Sequence, residues 1–188
     1  MAPRRIGGHG RADAGEAVTW TSAAGARGTR WREVIRTAEG RVRTVLLEES
    51  TDGAPTRLEI ASVAGLLTMH PGPDGSSIHG NVVSADGVRH ITLGWGVGHV
   101  LLVAGSPVSA AVALRGQFRA IAVGGTAAAA GVWVDDALEP HVGRWAVTRV
   151  DTGVWRLEAD DGSPAFDIRV DAEGLPVLDG ASAWPLET

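Results

Sequence analysis

The chain of 188 residues contains no cysteine, no lysine and no tyrosine. Absence of cysteine excludes disulfide staples, thiolate metal sites and thiol nucleophiles together, and fits a reducing compartment. Absence of lysine leaves arginine as the only permanently cationic side chain. Set beside abundant Ala, Gly and Val, this reads as a coding bias towards GC-rich codons, so most single arginines are taken as solvated surface charge. The net charge of −5 gives no basic footprint. Nucleic acid and an anionic membrane surface are therefore not expected partners. What is present, 44% hydrophobic and 21% charged residues, suits one globular domain able to bury a sizeable core.

The first residues, MAPRRIGGHGRADAGEA, lack an apolar stretch ahead of a small-residue cleavage site, so no secretory signal is expected. With the missing cysteines, this points to a cytoplasmic location. The segment is rich in Gly, Arg and Ala and has no periodicity. It is expected to form a flexible tail over residues 1–17, with a single β domain over 18–188.

From Val18 onward short apolar runs alternate with acid–glycine pairs at Glu39-Gly40, Asp52-Gly53, Asp74-Gly75, Asp86-Gly87, Asp161-Gly162 and Glu173-Gly174. Such pairs accept the positive φ of tight turns, and their recurrence predicts an all-β, mainly antiparallel fold with little helix. In TRWREVIRT, Trp31, Glu33 and Ile35 share one face, opposite Arg30, Arg32, Val34 and Arg36. Phe166, Ile168 and Val170 alternate with Asp167, Arg169 and Asp171 in the same way, as in a half-buried strand. A hairpin is expected around Asp151-Thr152-Gly153. The best helical candidate, Ser109 to Arg119, holds Gly116 and follows Pro107.

The run from Ile91 to Leu114 is 24 residues long and, His99 apart, uncharged. That length suffices to cross a bilayer as a helix. Gly94, Gly96, Gly98, Gly105 and Pro107 divide it, however, and no second span exists, so it is read as buried strand rather than a transmembrane segment. Period two places Leu93, Trp95, Val97, His99, Leu101 and Val103 on one face and the glycines, Val100 and Leu102 on the other. The glycine side lets a second backbone or a ligand approach closely.

The sequence carries few residues in catalytic or metal-binding patterns. His70, His79, His90 and His99 fall on different segments without a metal-binding box, so no metal or cofactor is expected. Neither a GxSxG elbow nor a GxGxxG turn leading into a helix is present. Asp135-Asp136 and Asp160-Asp161 are adjacent pairs and read as turn residues. Aromatic usage is lopsided, with seven Trp against two Phe. Trp20, Trp31, Trp95, Trp133, Trp145 and Trp155 lie on strand-like segments and suit either sheet packing or a cavity for an amphipathic ligand.

Several segments carry a family resemblance. Ser106-Pro107-Val108-Ser109 with Leu114-Arg115 resembles the motif T-P-x-T-N-T-L-P-I-R-R, with Ala110 and Ala113 in place of its Asn and second Pro. Val132 to Pro140 (VWVDDALEP) is similar to A-W-V-x-x-P-x-L-x-V-x-P. Thr148-Arg149 resembles Y-T-R, with Val147 in place of Tyr, and Val170 to Val177 resembles V-D-x-x-G-L-V followed by a Trp, here Trp184. Trp20 fits an N-terminal Trp strand. In this order the segments resemble a bacterial family to which glycolipid binding has been ascribed, formerly a domain of unknown function. The resemblance implies a strongly curved sheet or half-barrel, like bacterial lipoprotein carriers, with an apolar tunnel.

The expected function is accordingly non-catalytic binding of a lipid or glycolipid, with an acyl chain in an internal cavity. Leu93, Trp95, Leu101, Trp133, Trp155 and Phe166 are the candidate lining. Ser106, Ser109 and Arg115, carried over from the motif, are candidates to orient a head group. Two alternatives stand beside it: a hydrolase of a lipid or sugar ester using Ser106 or a histidine pair, and a structural or partner-binding β domain without a ligand.

Overall fold

In the computed structural model, described for residues 4–116, 118–163 and 165–185, the acid–glycine turns adopt the backbone their chemistry allows. All six glycines have φ between 66° and 118°, and each separates successive strands. Strand makes up 59% and helix 5% of the protein, as the turn pattern predicts.

The larger sheet is an antiparallel meander of β1 (Arg4–Arg11), β2 (Ala17–Gly25), β3 (Gly28–Arg36), β4 (Val42–Glu49), β5 (Pro55–Ser62), β6 (Gly65–Pro71), β7 (Ser77–Ser84) and β8 (Gly87–Gly94). The smaller sheet is formed by β9 (Val100–Val103), β10 (Thr126–Val134), β11 (Pro140–Asp151), β12 (Val154–Ala159) and β13 (Phe166–Arg169), in the order β13-β12-β11-β10-β9. Helix α1 (Pro107–Arg115) lies between β9 and β10, and the last strand, β14 (Asp179–Pro185), returns to pair with β1. Strands β9 and β10 are parallel, so a crossover must join them, and α1 supplies it.

Residues 4–11 were expected to belong to a tail. They instead form a strand hydrogen-bonded on both sides, to β2 and to β14. Backbone pairing needs no apolar side chains, so a Gly- and Arg-rich sequence serves when two strand edges are available to satisfy it. Trp184 stands opposite Gly7 in this pairing, and its side chain lies outside the described part.

The apolar run is also not one strand. It divides into the end of β8, a turn, β9 and α1, and Val97 at the turn is fully exposed. The period-two face therefore breaks at that point. Pro107, which looks like an interruption, sits in the first turn of α1, where its missing N–H costs nothing. Among the described residues no helix is long and apolar enough to cross a membrane.

Burial follows the alternation. Trp31, Glu33 and Ile35 of β3 are 0%, 0% and 4% exposed, while Arg30, Arg32 and Arg36 face solvent. Val18 and Trp20, Val45 and Leu47, Leu58 and Ile60, and Leu67 and Met69 continue that buried face across the meander. The smaller sheet is covered on both faces. Leu101, Val103, Val132 and Val134 pack towards the large sheet, whereas Val100, Leu102, Trp145, Val147, Trp155 and Leu157 belong to a second cluster. Helix α1 feeds both, through Val108 and Val112 on one side and Ala110, Ala111 and Leu114 on the other. Gly131 makes the parallel pair possible: a Cβ there would stand 2.0 Å from the Val100 carbonyl oxygen.

Candidate functional site

Strand register builds a cleft at the edge of the buried face. Arg4, Ala24, Thr29 and Glu49 form one cross-strand row, and Ile6, Ser22, Trp31 and Leu47 form the next. The cleft rises from these rows, with a volume of about 320 Å³, and is lined by Arg4, Ile6, Ser22, Ala24 and Thr29. Arg115 and Arg119, at and just beyond the end of α1, close one side of it. Glu173 and Leu175, from the turn after β13, close another. A volume of about 300 Å³ is at the lower end of the range for small-molecule sites.

Arg115 is fixed from three directions. Its guanidinium carbon lies 5.0 Å from the centre of the Trp31 ring, within cation–π distance. The Trp31 indole N–H donates to Glu49 Oε2 at 2.7 Å. Burial raises the pKa of the Glu49 carboxyl above its ordinary value, opposed by that hydrogen bond and by the charge of Arg115. Finally, Gly174 passes so close that an added Cβ would meet Arg115 Cγ at 2.5 Å, and its φ of +78° suits glycine. Arg115 also occupies the last turn of α1, where a cation complements the carbonyl end of the helix dipole.

Charge in the cleft is unbalanced. Arg4 pairs with Glu173 at 2.7 Å, a solvent-exposed pair of small net value. Arg115 and Arg119 then remain as two further cations in a protein whose overall charge is negative.

Ser106 and Ser109 serve a different purpose. Ser106 is the N-cap of α1, accepting from the Ser109 N–H at 3.0 Å, and its own hydroxyl donates to Glu33 Oε2. Glu33 Oε1 accepts the Val108 N–H at 3.2 Å, and Ser109 Oγ accepts the Val103 N–H at 3.0 Å. A fully buried carboxylate on the large sheet thus holds the start of the helix. Burial pushes the Glu33 pKa up to about 7, against smaller opposing effects from Ser106, Val108 and Arg43. Arg43 braces the same loop through the Ala104 carbonyl and pairs with Asp136 in the turn between β10 and β11.

The other expected site residues scatter. Leu93, Trp95 and Leu101 pack with the first core cluster, Trp133 and Trp155 with the second, and Phe166 is 42% exposed on the edge strand β13. None of the six borders this cleft. None borders the wider hollow of about 540 Å³ at Glu39–Thr44 and Ala61–Val63 either. Of Ser106, Ser109 and Arg115, Arg115 lines this cleft and the two serines do not. His70 and His79 stand opposite each other with ring centres 6.5 Å apart, His90 bonds Asn81 and His99 packs edge-on against Trp95. Among the described residues no group of three or more His, Asp or Glu is placed to hold a metal ion. The residues that sequence reasoning missed are Glu33, Arg119, Arg4 and Glu173. A signal for Glu33 existed, since a carboxylate flanked by Trp31 and Ile35 on an inward face must find partners.

No known family profile matches the chain, and no curated protein matches it either. A solved structure does: the crystal structure of a DUF1089 family protein from Pseudomonas aeruginosa, 20% identical, with a TM-score of 0.55 over 85% of this chain and 86% of that one. At that identity the likeness concerns the fold.

Proposed function

We propose that the protein is a non-catalytic binder of a lipid or glycolipid whose polar head occupies the Arg115 cleft. The supporting observation is the cleft itself: Ile6, Ala24 and Leu175 offer apolar wall, while Arg4, Arg115, Ser22 and Thr29 offer hydrogen-bonding groups at the same opening. An amphipathic molecule uses both kinds of surface at once. Each methylene covered by that apolar wall contributes roughly 0.8 kcal/mol, before entropic losses.

A binding role also accords with the state of Ser106. Ser106 is 4% exposed, and its hydroxyl is committed to Glu33 and to the helix N-terminus, with no histidine among its described partners. This favours a capping duty over that of a nucleophile.

Native mass spectrometry tests the reading. Purified protein, delipidated and then incubated with a total bacterial lipid extract, is expected to retain a stoichiometric adduct of lipid mass. Absence of any adduct across classes would overturn the proposal.

A further inference from the structure

We infer that the cleft is built for a phosphate group, so that the bound molecule is a phosphorylated one. The inference deepens the lipid-binding reading and rests on it for the hydrocarbon part of the ligand. It starts from the charge count of the lining: three guanidiniums, Arg4, Arg115 and Arg119, against one carboxylate, Glu173, which is already paired with Arg4. Glu49 also acts on Arg115 and accepts the Trp31 N–H. Including it still leaves an excess of positive charge in a chain of net charge −5. Like charges gathered in a concave site raise the local concentration of the opposite ion.

The shape of the donors narrows the class. A guanidinium presents a planar fork of N–H groups that suits the paired oxygens of a carboxylate or phosphate. Arg115 is the pre-organised member, its guanidinium held over the Trp31 ring and its stem against Gly174, so less freedom is lost when it binds. Arg119 is exposed and faces the same opening. The hydroxyl-bearing Ser22 and Thr29 add donors from the sheet side. Two forks and two hydroxyls outnumber the acceptor sites of one carboxylate, whereas the oxygens of a phosphate monoester accommodate them.

Arg115 and Glu173-Gly174-Leu175 lie almost 60 residues apart in sequence and meet only in the fold. Gly174 closes its own turn by donating to the Asp171 carbonyl, and the same turn lies against Arg115. It places the Arg115 stem against the cleft wall.

Calorimetric titration of the full chain with four probes tests this: inorganic phosphate, glycerol 3-phosphate, lauroyl lysophosphatidate and the uncharged lauroyl monoglyceride. Lysophosphatidate is expected to bind at least tenfold more tightly than monoglyceride, with an affinity that falls as salt rises. Arg119→Ala should remove most of that preference, while Arg89→Ala, an exposed arginine paired with Glu139 elsewhere, should leave it intact. Arg119 is used because Arg115→Gln disturbs Trp31 and could fail to fold. Equal binding of lysophosphatidate and monoglyceride, unchanged by Arg119→Ala, would overturn the phosphate inference and leave the lipid reading standing. Binding of inorganic phosphate or glycerol 3-phosphate as tight as that of lysophosphatidate would support the anion site and overturn the lipid reading. Binding of none of the four would overturn the phosphate inference.

Discussion

Glu33 is a costly residue at its position. It is fully buried on the inner face of β3, and desolvation holds its pKa at about 7, well above the ordinary value of 4.5. Between those two values the folded chain keeps a proton that the unfolded chain has released. Stability is then expected to fall as pH rises from about 4.5 to about 7 and to level off above it, by about 3 kcal/mol in all. Urea unfolding midpoints across that range measure the slope, and Glu33→Gln, which keeps an acceptor for the Val108 N–H, should flatten it. A pH profile that Glu33→Gln leaves unchanged would show that Glu33 is ionised throughout that range. Gly174 makes a second residue-scale prediction. Gly174→Ala forces an L side chain to φ +78° and drives a methyl into Arg115. A loss of about 1 kcal/mol or more in stability is expected, together with weaker lysophosphatidate binding in the calorimeter.

Helix α1 depends on its first turn. The N-cap contact from Ser106 and the sheet contact from Glu33 meet at one hydroxyl, so Ser106→Ala removes both. The expected cost is about 1–3 kcal/mol by chemical denaturation, a cap plus a buried acceptor left short of a donor. Binding at the far end of the helix should survive once the protein is folded. The strands were the most legible elements, because alternation in TRWREVIRT and the acid–glycine pairs report local geometry directly. The helix was less so. Its apolar residues face two clusters rather than one stripe, since Val108 and Val112 pack towards the large sheet while Ala110 and Leu114 pack towards the other cluster. No single amphipathic face exists for a periodicity argument to find. Segment 4–11 failed for a related reason: its strand state comes from pairing with β14, contributed by the opposite end of the chain.

At the scale of the whole molecule, β1 joins the two chain ends into one sheet, between β14 and β2. Deleting residues 1–11 should expose two strand edges and strip Arg4 and Ile6 from the cleft. The expected outcome is loss of a cooperative thermal transition by circular dichroism, with aggregation in gel filtration. A variant that melts like the full chain would make that segment dispensable. The cleft was illegible in the sequence for the same reason. Arg115 was reachable through its motif, but Arg4, Ser22, Thr29 and Glu173 become neighbours only once register brings their strands and turns together. Conversely, the tryptophans chosen as ligand wall mostly satisfy ordinary core packing. Trp155 is 3% exposed within a cluster that includes Trp145 and Leu157, and Arg149 stacks on its ring at 5.4 Å. The location of binding can be read from the indole N–H resonances in a proton–nitrogen correlation spectrum. On adding lauroyl lysophosphatidate, the Trp31 signal should shift, because Arg115 rests on its ring and Glu49 accepts its N–H hydrogen bond, while Trp133 and Trp155 stay still. Movement of Trp133 and Trp155 with Trp31 silent would place the ligand elsewhere and contradict the account.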